Sequence, residues 1–226
     1  MGKFGEILTG IKVLEEADSP INGKISVIKS LAFGTYIQVS GLTQSGGIIK
    51  SIWNKTLKKV ASSKKQVARV LILGLGGGSI VEVVKKYWPR AEITAVDIDP
   101  IMVELGKKYL GLDEYNINII IGDAYNYLNQ ISKSKNQNDK SKFKNNYDLI
   151  LVDLYIGDEF PKKFESDEFL RSARRNLVGS GIVIFNRLYY GDKRSQAMRF
   201  ENKLEKMFKN VEYFYPEANL MFICST

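Results

Sequence analysis

The chain reads as an α/β protein, a doubly wound and mostly parallel sheet of seven strands preceded by a small N-terminal β leaf. Three observations predict it. From Val70 onward, apolar runs of strand length alternate with segments of helical period. Three of the strands run out into an aspartate, Asp97, Asp123 and Asp153, as expected at one edge of a parallel sheet. Before residue 48 the text is different: short alternating runs broken by turn residues.

Residues 1–12 carry no decisive pattern. V-L-E-E-A-D from Val13, the S-P-I-N-G-K turn, Ile25 to Ser30 and Tyr36 to Val39 give the strands of the leaf, and the S-G-L-T-Q-S-G-G segment (40–47) reads as a tight turn region. These make a first unit, residues 1–47. Ile48 to Val60 is helical, with Ile49, Ile52, Trp53, Thr56 and Leu57 on one side; with its lysines it forms a connecting helix and basic linker, 48–69. The main domain is 70–226.

That domain opens with Val70 to Leu73, apolar on both faces as a buried parallel strand must be. Gly74, Gly76, Gly77 and Gly78 follow, with Leu75 between, a turn that lets the backbone approach a ligand at the start of the next helix. Ile80, Val81, Val84, Tyr87 and Trp88 form a helical stripe that Pro89 stops. Ile93 to Val96 is a strand ending in Asp97; Asp99-Pro100 caps and starts the next helix, which turns Met102, Leu105, Tyr109 and Leu110 inward. Strand, glycine turn, helix, strand and acid, with about 20 residues from glycines to carboxylate, is the arrangement that holds an adenosine ribose. Ser79 stands where the dinucleotide form has its third glycine, which points away from NAD.

Ile117 to Ile121 is the third strand and a short helix through Leu128 follows. Residues 132–146 are lysine-rich and poor in apolar side chains, and read as a mobile surface insertion. Tyr147 to Asp153 is the fourth strand, and 153–161 a loop at the ligand-binding edge. A helix over Glu168 to Leu177, a V-G-S-G turn, a strand over Ile182 to Phe185, a helix over Arg194 to Phe208 and a closing pair (Val211 to Tyr215, Leu220 to Cys224) complete the chain.

Composition excludes whole classes of chemistry. There is no histidine, so histidine-ligated metals and Ser-His or Cys-His nucleophiles are out, and no metal is expected. Proton transfer falls to a carboxylate, Tyr, Lys, water or the substrate. Cys224 is the only cysteine, which excludes a disulfide within the chain. No apolar run spans a membrane, and the first ten residues lack the apolar core of a signal peptide, so no membrane and a cytoplasmic home are expected. The net charge of +8 comes from lysines spread along the chain and reads as a solvated basic surface; a nucleic-acid partner stays open without a motif to support it.

Asp97, Asp123 and Asp153 converge on one crevice beside the glycine turn. One carboxylate suits a ribose diol, one an adenine amino group, and one a methionine amine or an incoming nucleophile. The chemistry this fits is transfer from an S-adenosyl sulfonium, where the protein mainly orients and desolvates the acceptor.

G-L-G-G-G-S, A-V-D-I-D-P, I-I-G-D-A and Y-D-L-I-L-V-D, in that order, resemble class I S-adenosylmethionine-dependent transferases, and more narrowly the spermidine synthase (polyamine aminopropyltransferase) family. V-S-G-L-T-Q resembles that family's Leu-Asp-Gly-x-x-Gln, mapping its Gln onto Gln44. The resemblance covers about Val13 to Thr226 and implies a Rossmann-like sheet of the class I methyltransferase type. It implies a cofactor site of Gln44, Gly74, Gly76, Gly78, Asp97, Ile98, Asp123, Ala124 and Asp153, with Asp97 on ribose and Asp123-Ala124 at adenine. Asp153 takes the place of the catalytic aspartate, and Tyr155, Asp158 and Phe160 stand on the substrate side. A homodimer is implied by resemblance alone.

The departures shape the expected activity. The family's Gly-Gly-Gly-Asp-Gly has Gly77 in place of its Asp, which would ease repulsion of an intact methionine carboxylate. Its Tyr-His-Glu falls at Ile52-Trp53-Asn54, and its Asp-Ser-x-Asp-Pro keeps only Asp153, so a cationic diamine meets fewer carboxylates. Trp53 is expected in the core. The leading expectation is methyl transfer from S-adenosyl-L-methionine to an unidentified small-molecule acceptor. The alternatives are aminopropyl transfer from decarboxylated S-adenosylmethionine to a polyamine, and a non-catalytic cofactor-binding protein.

Overall fold

A computed structural model describes residues 10–134 and 147–226. Most of the lysine-rich insertion expected over 132–146 thus lies outside the described residues. Ser132 does not belong to it, being buried in the last turns of a helix.

The leaf is an antiparallel meander of β1 (Ile11–Ser19), β2 (Gly23–Ser30), β3 (Gly34–Val39) and β4 (Leu42–Gly46), in that spatial order. β4 departs from the turn expected over 40–47. Ser40 and Gly41 both take positive φ, 50° and 80°, and Val39 pairs with Leu42, so two residues suffice for the hairpin and the chain resumes as a strand.

After helix α1 (Gly47–Ser63) comes the main sheet, β5 (Arg69–Leu73), β6 (Glu92–Asp97), β7 (Asn118–Ile121), β8 (Tyr147–Val152), β9 (Leu177–Leu188), β10 (Asn210–Phe214) and β11 (Asn219–Ser225). Its order is β10-β11-β9-β8-β5-β6-β7; β7 through β9 are parallel and the last two strands antiparallel. The expected α/β architecture, with seven strands and a separate leaf, is what the chain forms. Helices α2 (Ser79–Tyr87), α3 (Pro100–Leu110), α4 (Ala124–Ser134), α5 (Asp167–Arg175) and α6 (Lys193–Met207) connect it. The V-G-S-G segment expected as a turn belongs to β9. Tyr147 pairs with Leu177 and Leu149 with Ile182, so these residues bulge out of an otherwise continuous ladder.

Side chains of β5 alternate between two cores. Val70 and Ile72 join Trp53 and Leu57 of α1 and Val81 and Val84 of α2 on one face; Leu71 and Leu73 join Leu128 of α4, Phe169 of α5 and Phe200 of α6 on the other. A third, smaller cluster of Ile25, Val27, Ile37 and Val39 with Met102 and Leu105 seats the leaf on α3. This places β4 and the β1–β2 turn over the carboxyl ends of β5 and β6. Among the described residues no helix is long and apolar enough to cross a membrane.

Candidate functional site

The carboxyl ends of β5, β6, β7 and β8 open into a cavity roofed by the leaf. Its floor is the glycine turn. Gly74 has φ 87° and its missing side chain leaves the Asp153 carbonyl room to pass; a β-carbon there would collide with it. Gly76 (φ 55°) donates its N–H to Asp97 Oδ2 at 2.7 Å. Asp97 Oδ1 accepts the Asp99 N–H at 2.9 Å, so the half-buried carboxylate fixes the turn and still presents lone pairs to the cavity. Burial pushes the Asp97 carboxyl up, opposed by the Asp99 and Gly76 N–H donors.

Asp153, at the end of β8, is held on both oxygens. Trp53 donates its indole N–H to Oδ2 at 2.8 Å, and Asn186 donates its amide to Oδ1 at 2.8 Å. Asn219 in turn donates to Asn186 Oδ1 at 2.7 Å, which fixes the amide's orientation. Burial raises the Asp153 carboxyl, the two donors lower it, and the charge of Asp97 raises it again, leaving it above the ordinary value. For Asp123, burial alone would raise the carboxyl, but its ion pair with Lys163 and the Asn126 N–H outweigh that and hold it below the ordinary value.

Gln44, Gly74, Gly76, Asp97, Ile98, Asp123, Ala124, Asp153 and Tyr155 all line the cavity. Gln44 also donates its amide to Gly157 O at 3.0 Å, tying the leaf to the loop after β8. The Tyr155 hydroxyl accepts the Leu188 N–H at 2.8 Å and donates to Asn186 O at 3.3 Å, so it is engaged by the backbone of β9. Three expected residues do not line it. Gly78 is the left-handed N-cap of α2. Asp158 points out to Lys193 at 3.0 Å. Phe160 is buried in the core, edge-on to Tyr155 and under the Arg187 guanidinium at 4.2 Å.

Gly77 does not line the cavity either. A β-carbon there would sit 2.7 Å from Ile37 Cδ1 and 2.8 Å from Leu110 Cδ1, inside the seam between leaf and α3. Both are the far ends of aliphatic side chains, so Gly77 is tied to the packing of the leaf on α3 and does not by itself select between the two cofactor forms.

Sequence reasoning missed Asn186 and Asn219, and it placed Trp53 in the core without its second role. Trp53 is indeed fully buried, yet its one polar atom is spent on Asp153. It also missed two devices that seat the roof. Ser79 Oγ lies 2.9 Å from Ser45 Oγ and accepts the Gly46 N–H at 2.5 Å, so the residue that breaks the dinucleotide pattern docks β4. Asp99, fully buried, accepts from Ser19 Oγ at 2.5 Å and Asn22 Nδ2 at 2.6 Å while capping α3, and so latches the β1–β2 turn.

Residues 52–219 match the spermine/spermidine synthase domain. The polyamine aminopropyltransferase of Vibrio vulnificus is 30% identical over 119 residues, 52% of this chain and 37% of that protein. The chain thus spans well under half the length of that curated relative. The eEF1A lysine and N-terminal methyltransferase homolog of Drosophila melanogaster is 29% identical over 157 residues, 67% of this chain and 22% of that one. Among solved structures, spermidine synthase from Thermotoga maritima superposes with a TM-score of 0.75 at 18% identity, covering 95% of this chain and 72% of that chain, a likeness of fold.

Proposed function

The chain belongs to the spermine/spermidine synthase family, and from that premise we propose that it transfers an aminopropyl group from decarboxylated S-adenosylmethionine to an amine. The observation that carries this over methyl transfer is the charge of the cavity. Asp97, Asp123 and Asp153 line it, and among the described residues the only lining cation is Lys163, which is already paired with Asp123. Two carboxylates are left facing a ligand without a protein cation. A sulfonium and an ammonium suit that field; an additional methionine carboxylate finds no free cation to meet it.

The residues fit a nucleoside. The glycine turn presents backbone in place of side chains, Asp97 offers acceptors for a ribose diol, and Ile98, 41% exposed, gives an apolar surface at the same wall. When bound, the decarboxylated cofactor supplies an electrophilic carbon: the amine lone pair forms the C–N bond as the C–S bond breaks with its electrons going to sulfur. Asp153 receives the surplus N–H proton. Its carboxyl, raised by burial, is a better base than an exposed aspartate, and Trp53 and Asn186 hold it in one orientation. Methyl transfer is the second reading, favoured by the similarity to the Drosophila methyltransferase.

The test is turnover of the purified chain with each cofactor form and a panel of amines. Release of methylthioadenosine with a matching gain in amine mass is expected. Release of S-adenosylhomocysteine from the intact form alone would replace this reading with methyl transfer.

A further inference from the structure

We infer that the acceptor is a monoamine with an apolar body, and not an α,ω-diamine; this rests on the amine-acceptor reading of the cavity. Asp153 shares the cavity wall with Asn186, which donates to it, with Asn219, which donates to Asn186, and with Leu188, Ile156 and Ile49. Asp153 is the one lining carboxylate left for an acceptor, since Asp97 is taken by the ribose in this reading and Asp123 is paired with Lys163.

Among the described residues, Asp158, Glu159, Glu165 and Glu217 lie off the cavity wall and each is ion-paired, the first two sharing one lysine. Lys193 takes both Asp158, at 3.0 Å, and Glu159, at 2.6 Å. Arg187, buried between the Phe160 and Phe200 rings, takes Glu165 at 2.7 Å. Lys55 takes Glu217. One amine can therefore approach Asp153, while a second ammonium on the same short chain would lie against Ile49, Ile156 and Leu188 with neutral amides as its only partners. Burying an unpaired ammonium is far costlier than burying a methyl group, which those side chains favour. The same count of one carboxylate orders the two ligands: the monoamine gains apolar contact where the diamine loses hydration.

The experiment compares butylamine with putrescine, its diamine counterpart of equal carbon length. Binding of each to the full chain saturated with methylthioadenosine is measured by calorimetry, so the ranking does not depend on turnover. Butylamine is expected to bind more tightly, by about tenfold. Putrescine binding as tightly or more tightly overturns the inference, as does failure of both amines to bind. Methylthioadenosine release from decarboxylated S-adenosylmethionine, assayed with the same two amines, judges the proposed reaction separately. If butylamine binds better but no cofactor is consumed, the reaction fails and the acceptor class stands; if putrescine is the better-bound substrate, the reaction stands and the acceptor class fails.

Discussion

Asp153 takes one N–H on each oxygen, and both donors are neutral, so the carboxylate is oriented without being neutralised. Burial has raised its carboxyl and Asp97 adds to that, while the Trp53 and Asn186 donors lower it. Acidification therefore protonates Asp153 at a higher pH than an exposed aspartate, and kcat/KM should fall correspondingly early on the acid side. Trp53→Phe keeps an aromatic, though smaller, ring in the core and deletes the N–H. The acid limb should then move to still higher pH, and kcat/KM at neutral pH should fall about tenfold, the worth of one hydrogen bond to a charged group. Asp153→Asn should abolish the limb and lower kcat by at least about 100-fold. An acid limb left in place by Trp53→Phe would show that the indole donor does not act on this carboxylate. Asp97 has a different task. Asp97→Ala removes the acceptor assigned to ribose and releases the Gly76 N–H, so methylthioadenosine affinity should fall about 10- to 100-fold by calorimetry. Unchanged affinity would move the ribose away from Asp97.

At the scale of elements, the roof depends on Asp99. Its carboxylate caps α3 through the Ile101 and Met102 N–H groups and holds Ser19 and Asn22 of the β1–β2 turn, whose Ile21 and Asn22 line the cavity. Asp99→Ala should cost about 2–4 kcal/mol, about one for the cap and the rest for partners left unsatisfied in a buried seam. Denaturant unfolding reads the loss, and nucleoside affinity should fall with it; loss of stability alone would separate the roof from binding. The two Asp99 roles differ in how they show in sequence. The cap is local, Asp before Pro, and could be read; the latch joins residues eighty positions apart. The same divide explains the rest. β5, β6 and β8 were legible because a strand buried on both faces must be a continuous apolar run. β4 and the Val178–Gly181 bulge were not, because their glycines encode a turn locally while pairing with β3 and β8 decides otherwise. Gly77 stood inside a readable motif, but which way its missing side chain would face depends on the seating of the leaf. Asn186 left a faint signal, a polar pair at the end of the apolar run Ile182 to Phe185.

Across the whole molecule, the basic character and the acidic cavity are separate features. Lysines of α1 pair outward, Lys50 with Glu82, Lys55 with Glu217 and Lys59 with Glu212, and none of these lysines lines the cavity. A chain of net charge +8 thus keeps a cavity in which carboxylates outnumber ammonium groups three to one. A cofactor carboxylate held roughly 8 Å from one uncompensated aspartate would be repelled by about 2 kcal/mol at an effective dielectric near 20. The decarboxylated form should therefore bind about 30-fold more tightly than the intact one. Because residues of the leaf and of the main sheet both line the cavity, ligand binding should stabilise both together. At a concentration about 100 times its dissociation constant, the decarboxylated form should add about 2.7 kcal/mol. For a chain of this size that is a rise in Tm of about 5–10 °C. The intact form at the same concentration should add about 0.9 kcal/mol and move Tm by no more than about 4 °C. Thermal unfolding with each ligand decides it. An equal or larger shift with the intact form would mean that its carboxylate meets a cation, and would return the cavity to methyl transfer.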